Sequence, residues 1–274
     1  MSTTTQNSTK KRKREVCNHC KRQKAVCICA ALPSTNLPLT HARVIVLEHP
    51  QETKRKDRSL PLIELCLKKY IDVTSDESSE RTDCQAHVDF GICTHVCRRL
   101  GSQIPKPIYN ILHDKHEIVF LMYPSEDAIP LREALNHVKS LNKSFHSDDN
   151  DDYNVANKKI NLIFLDATWK FAKEMDTKTI QAQAWPKHMI RVKLDVTDFG
   201  SDFQPRRFDY IRTPPNDDYL STAECIARTL EIVENDKHVF ETLMKPLDLM
   251  VMQWKSFEEQ RTLPRQRNAL EDKV

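Results

Sequence analysis

Lys159 to Met175 reads KINLIFLDATWKFAKEM, and no other stretch constrains the fold as tightly. Ile160 to Leu165 is an unbroken apolar run with the length and branching of a buried strand, and Lys170 to Met175 reads as the opening turns of a helix. A buried strand that gives way to a helix is the unit of an α/β sheet. The break between them, Asp166-Ala167-Thr168-Trp169, sets an acid and a hydroxyl at the carboxyl end of the strand. Open α/β sheets place their ligand crevices there. Taken alone, the same four residues also suit a plain helix start in which Asp166 or Thr168 serves as the cap, so both readings stand at this point.

Glycine is the next constraint, because the 274 residues contain three, Gly91, Gly101 and Gly200. The GxGxxG and GxxxxGK[ST] loops need several glycines close together so that backbone amides can approach phosphate. Both are excluded, and a nucleotide-like ligand has to be held in another way. The chain is long enough for one sizeable core or a core with a small appendage. Its apolar content of 39% and charged content of 30% describe a polar globular protein. No apolar run approaches a membrane span, and the start MSTTTQNSTKKRKRE lacks the apolar centre of a signal peptide. The expectation is an intracellular protein, nuclear, cytoplasmic or both, with no membrane and no protein partner evident. Its nine cysteines are then thiols or metal ligands and not disulfides.

The formal charge of +3 hides a split, since Lys10 to Arg14 carries five positive charges and the rest is close to neutral. Residues 1–16 read as a disordered basic arm suited to nucleic acid, to nuclear import, or to solubility alone. Cys17, Cys20, Cys27 and Cys29 follow as CxxC and CxC pairs six residues apart. Each pair projects sulfurs from a tight turn, and one zinc ion can gather both, with His19 as a possible substitute ligand; the alternative is four unligated thiols. A closed four-cysteine site has no open position, so it holds structure or grips RNA and does no chemistry. With the linker around Pro33 to Pro38, this small knuckle occupies residues 17–40.

Beyond it, Arg43 to Leu47 (RVIVL) reads as a strand ending in Glu48-His49-Pro50-Gln51-Glu52. Lys54, Arg55, Lys56 and Arg58 then offer a phosphate contact or an ordinary solvated loop. A helix is expected from Pro61 to about Lys69 with Leu62, Ile63, Leu65 and Cys66 inward, and a brief strand at Ile71 to Val73. Ser75 to Leu100 shows no clear pattern, and its Cys84, His87, Cys93, His95 and Cys97 match no ligand template, so they read as packing residues. Ile118 to Tyr123 is a buried strand and Leu131 to Leu141 an amphipathic helix. Asn142 to Asn157 is acidic and apolar-poor, which suggests a disordered insertion. Met189 to Val196 alternates like a half-exposed strand. An irregular segment, Phe203 to Pro215, carries Arg206, Arg207 and Arg212. It leads to a helix with Ala223, Ile226, Ala227, Leu230 and Val233 inward, and Ser221-x-x-Glu224 at its start has the form of a capping box. His238 to Phe257 reads as a last helix, kinked or divided at Pro246, before a polar tail at residues 259–274. Residues 41–258 therefore form an α/β domain with a mainly parallel sheet and flanking helices.

Three polar clusters lie at strand ends or at a helix start, and together they resemble a known family. LDATWKFAKEM resembles the DxTW signature of the DTW domain, LEHPQE its HPxE segment, and IRTPP with YLSTAEC its arginine followed by STxEA. The cysteine pairs look like the knuckle that many members carry. The resemblance runs from about Cys17 to Phe257 and is closest to the eukaryotic tRNA-uridine aminocarboxypropyltransferases. Two departures are Cys225, where the family commonly has alanine, and the acidic insertion.

The resemblance implies a fold similar to the knotted SPOUT-like methyltransferases, with adenosine among knot loops, which agrees with the scarcity of glycine. It implies transfer of the 3-amino-3-carboxypropyl group of S-adenosylmethionine to N3 of a tRNA uridine, releasing methylthioadenosine. Such chemistry has to deprotonate a weakly acidic imide and align it with the chosen carbon. Asp166 is then the base, the group that orients the imide, or the partner of the cofactor's ammonium. Thr168 and Trp169 shape the cofactor pocket, while Ser221, Thr222 and the amides of that helix start receive its carboxylate, with Glu224 fixing the turn. Arg212 binds a tRNA phosphate or that same carboxylate, and His49 and Glu52 belong to the site wall. Two other classes compete: methyl transfer to RNA from the same donor, and a zinc-knuckle RNA-binding adaptor without catalysis.

Overall fold

A computed structural model describes residues 15–55, 57–70, 90–101, 103–144, 158–195, 198 and 220–271. Within them lies a six-stranded sheet in the order β2-β1-β5-β3-β6-β4, parallel at every pairing. The strands are β1 (Ala42–Glu48), β2 (Ile92–Val96), β3 (Ile118–Met122), β4 (Ile129–Pro130), β5 (Ile160–Asp166) and β6 (Ile190–Lys193). Parallel neighbours require crossovers, which the helices supply. These are α1 (Leu60–Glu64), α2 (Lys106–His113), α3 (Leu131–Ser144), α4 (Trp169–Gln181), α5 (Thr222–Glu234) and α6 (Lys237–Glu271).

Helices cover both faces, which is why β1 and β5 read as continuous apolar runs. On one face Val44, Val46, Leu162 and Phe164 pack with side chains of α1, α3, α5 and α6. On the other, Ile45, Leu47 and Ile163 pack with Ile108 and Leu112 of α2 and Met175 of α4. The arrangement is the α/β architecture expected, with all described pairings parallel. Residues 199–219 lie outside the described residues, and the knotted threading that the resemblance implies stays an expectation.

Several elements differ in extent from the sequence reading. The helix expected to Lys69 stops at Glu64, because the backbone beyond it is taken by tertiary pairing: Leu67 bridges Leu37, and Lys69 bridges Ile92 of β2. Gly91 makes the second contact possible, since a Cβ there would meet the Lys68 backbone at 3.2 Å. Strand β2 and helix α2 were not legible, β2 being short and interrupted by Thr94 and His95. Helix α3 runs on to Ser144, into the start of the segment read as an insertion; residues 145–157 lie outside the described residues, as do Ile71 to Val73. Glu15 and Val16, assigned to the basic arm, already belong to the knuckle, Val16 bridging Gln23 and Glu15 pairing with Lys24.

Pro246 neither ends nor divides α6, which runs unbroken from Lys237 to Glu271, through residues read as a polar tail. An internal proline costs a helix about 3 kcal/mol. Leu243, Met244, Leu247 and Met250 surround it, each at most 1% exposed, and their burial at roughly 1.5–3 kcal/mol apiece outweighs that cost.

Candidate active site

The carboxyl ends of β1 and β5, two adjacent strands near the middle of the sheet, bring Glu48 and Asp166 into register. Side chains alternate between faces along a strand, so Glu48 continues the Val44–Val46 row and Asp166 the Leu162–Phe164 row. Both carboxyl groups therefore lie on the α5 side, Glu48 2% and Asp166 8% exposed. The Thr222 hydroxyl at the start of α5 donates to Asp166 Oδ1 at 2.6 Å. This bond ties the DxTW strand end to the STxEA helix start across 56 residues of chain. Ser221 and Glu224 form the full capping box: the Glu224 amide donates to the Ser221 hydroxyl at 3.3 Å, and the Ser221 amide to Glu224 Oε2 at 3.0 Å. The box fixes the turn, and the fixed turn aims Thr222 at Asp166.

The electrostatics of the pair are unequal. Burial pushes the Glu48 carboxyl up to about 7, and Asp166, Glu64 and Glu52 add to the rise, while Arg58 opposes it through an ion pair with Glu48. The start of α5, the positive end of the helix dipole, favours anions beside these carboxylates.

The HPxE loop leaves β1 on the other side. The His49 amide donates to the Asp166 carbonyl at 2.9 Å, which extends the β1–β5 ladder by one bond. Its imidazole stacks on Phe171 of α4, with centroids 4.3 Å apart and planes 9° from parallel. Nδ1 accepts the Gln51 amide at 3.2 Å, so a neutral ring carries its proton on Nε2. Burial first, and Arg98 second, push the His49 pKa below its ordinary value, which keeps the ring neutral. Glu52 is buried behind the same loop, 3.8 Å from the Arg55 guanidinium. Thr168 occupies the N-cap of α4 with no side-chain cap bond, its carbonyl accepting the Ala172 amide at 2.8 Å. Trp169 is 36% exposed and tilts against Tyr123 at the end of β3, with centroids 6.4 Å apart.

The structure thus gathers Asp166, Ser221, Thr222 and Glu224 at one point. His49 and Glu52 stand on the loop beside it, and Thr168 and Trp169 directly after. Arg212 lies outside the described residues, with Arg206 and Arg207. Sequence reasoning placed Glu48 at the head of the polar cluster after the first strand but gave it no role, and it gave none to Tyr123. The available signal for Glu48 was its adjacency to the HP pair.

Compared with known families, residues 14–255 match the model of the DTW domain. The chain belongs to the DTW-domain family. It is similar to "tRNA-uridine aminocarboxypropyltransferase A" of Arabidopsis thaliana, 29% identical over 82% of this chain and 74% of the relative. "tRNA-uridine aminocarboxypropyltransferase 2" of Drosophila melanogaster is 27% identical over 86% of this chain and 73% of its own length. The protein of the same name from Macaca fascicularis is 27% identical over 87% of this chain and 63% of its own length. No solved structure matches the chain.

The DTW match takes in the cysteine cluster. The sulfurs of Cys17, Cys20, Cys27 and Cys29 all lie within 4.8 Å of one another, with Cys17–Cys29 at 3.6 Å and Cys20–Cys27 at 3.7 Å. Four sulfurs about 2.3 Å from one zinc stand roughly 3.8 Å apart at the corners of a tetrahedron, so the cluster fits such an ion. It can hold a metal ion. Hydrogen bonds from the Cys20 and His19 backbone pull the Cys17 thiol down to about 6, while burial and the neighbouring cysteines push Cys29 up to about 12, so without an ion the crowded sulfurs favour one thiolate among thiols. His19 Nδ1 sits 3.4 Å from Cys29 Sγ, beside the cluster. The knuckle is packed on the α/β body: Cys20 and Ile28 join the main core, and Gln253 of α6 donates to the Cys27 carbonyl at 3.1 Å. Cys93 and Cys97, read as packing residues, are buried in the α2–α4 layer, while Cys84 and His87 lie outside the described residues. Among the described residues no helix is long and apolar enough to cross a membrane.

Proposed function

We propose that this DTW protein transfers the 3-amino-3-carboxypropyl group of S-adenosylmethionine to N3 of a uridine in tRNA, giving acp3U and methylthioadenosine. The single observation that carries the reading is the Thr222–Asp166 hydrogen bond, which joins two family motifs distant in sequence into one polar site at the carboxyl edge of the sheet. The names of the plant, fly and macaque relatives supply the reaction class.

Asp166 orients the uracil imide or the donor's ammonium. Thr222, Ser221 and the amides of the α5 start receive the donor's carboxylate, with Glu224 holding the turn through the capping box. Trp169, beside Tyr123, gives the adenosine or the uracil ring a stacking face, and Thr168 sets the direction of that wall. His49 and Glu52 shape the β1 side of the site, and Arg212 binds a phosphate or the donor's carboxylate. The cysteine knuckle carries a structural zinc that holds the amino-terminal segment on α6 and takes no part in the transfer. The basic run Lys10 to Arg14 meets the tRNA backbone or directs the protein to the nucleus.

The deciding experiment incubates the purified protein with unmodified tRNA and S-adenosylmethionine labelled in the carboxyl group. Label in the nucleoside, with the mass of an added aminocarboxypropyl, supports the reading. A methylated nucleoside without label would point to a methyltransferase. tRNA binding with no modified product would leave the non-catalytic adaptor.

A further inference from the structure

We infer that Glu48 is the proton acceptor of the transfer, set beside Asp166 by the register of the two strands and facing the same helix start; the inference rests on the reading above. Asp166 is the residue that the DxTW motif points to, yet its Oδ1 is engaged by the Thr222 hydroxyl at 2.6 Å and its carbonyl by the His49 amide at 2.9 Å. A carboxylate with one oxygen held by a hydroxyl, on a residue whose backbone is held by the strand ladder, suits a fixed hydrogen-bond acceptor that aligns a ligand. A proton acceptor has to change charge during turnover, and Glu48 is built for that.

Glu48 is 2% exposed, one strand away in the same row, and is faced by four charged groups. Arg58, before α1, pairs with it and favours the carboxylate. Asp166 from β5, Glu64 from α1 and Glu52 from the HPxE loop disfavour it, as does burial. These opposing influences leave the carboxyl near 7, where both forms are populated at neutral pH and a general base works best. A purely structural partner for Arg58 would not need a second buried acid in the adjacent register position.

In the step, the uracil N3–H bond breaks and its proton passes to the Glu48 carboxylate. The electron pair left on N3 forms the bond to the γ-carbon of the aminocarboxypropyl group. The bond from that carbon to the sulfonium breaks with its pair going to sulfur, so methylthioadenosine leaves as a neutral thioether. Glu48 then returns its proton to water.

The test is the single-turnover rate of label transfer to tRNA, followed from about pH 5.5 to 9 in the wild type, Glu48→Gln, Glu48→Asp and Arg58→Gln, with donor and tRNA affinities measured alongside. The wild-type rate is expected to rise with pH through a limb near 7. Glu48→Gln should be slower by on the order of 10²–10⁴-fold and lose the limb, with both affinities nearly unchanged, while Glu48→Asp keeps it. Arg58→Gln leaves the acid in place and should move the limb to higher pH, because the one favourable charge is gone; it decides the matter alone if Glu48→Gln does not fold. A Glu48→Gln rate within about tenfold of wild type, a limb that survives in that variant, or an unmoved limb in Arg58→Gln would each overturn the inference while leaving the transferase reading intact. A wild type that transfers no label would instead overturn the transferase reading, and this inference with it.

Discussion

At the amino end of the β1–β5 ladder Arg43 lies beside Asn161, and at the carboxyl end Glu48 lies beside Asp166. The first pair is complementary. Arg43 meets Glu117 at 3.3 Å and Asn161 Oδ1 at 3.4 Å, while the Asn161 amide donates to Glu117 at 2.8 Å and to the Ile118 carbonyl at 3.1 Å. The second pair sets two acids side by side in a buried row, with one guanidinium from Arg58 to offset them. The same two strands thus end in a network that holds the sheet together and in a like-charged pair that packing alone does not favour. Buried groups arranged to perturb one another mark candidate sites, and the contrast points to the same strand ends as the motifs.

The contrast can be broken most forcefully at its acidic end. Asp166→Asn should reduce transfer by on the order of 10²-fold through lost alignment while tRNA affinity, read by filter binding, stays within a few-fold of wild type. Loss of binding together with activity would instead mark Asp166 as a structural residue. Metal removal probes the region that belongs to neither end. A strong chelator, or replacement of Cys17 and Cys20 by serine, should lower the thermal midpoint by on the order of 10 °C, because the docked knuckle and its contacts with α6 come loose together. At the complementary end Asn161→Ala leaves Glu117 and the Ile118 carbonyl short of a donor. It should cost about 1–3 kcal/mol in denaturant unfolding with turnover of the folded fraction unchanged.

The smallest effect is a slope. Glu48 titrates higher in the native state than the ordinary carboxylate, so between about 4.5 and 7 the native protein holds a proton that the unfolded chain has released. The stability this contributes is present at low pH and lost as pH rises through that window. Glu48→Gln should flatten the decline, seen as a smaller change of midpoint between about pH 5 and pH 8 than in the wild type. Parallel pH profiles in the two proteins would remove Glu48 from the account.

Much of this was readable in the chain because burial on both faces writes itself as uninterrupted apolar residues. Ile160 to Leu165 and Ile118 to Tyr123 announced strands, the second ending at Met122 in the fold, and Ala223, Ile226, Ala227 and Leu230 announced the inward face of α5. Ser221 and Glu224 declared their capping box through spacing alone. Where tertiary pairing overrode a local signal, reading failed. Leu67 and Lys69 left a helical pattern to bridge other segments, and β2 hid polar residues at positions that only a neighbouring strand could make acceptable. Pro246 was read as a kink or a division, and the division does not occur because the proline's cost is local whereas the burial that offsets it comes from elsewhere in the fold.

By itself the sequence determined the α/β class, the exclusion of glycine-rich phosphate loops, the four cysteines that can share an ion and the three motif segments, since each depends on spacing within a few residues. Only the tertiary structure decided that Thr222 reaches Asp166, that His49 turns beneath α4, and that Glu48 is the acid next to Asp166. Strand register and helix packing set those distances, and both arise from contacts between residues far apart in the chain.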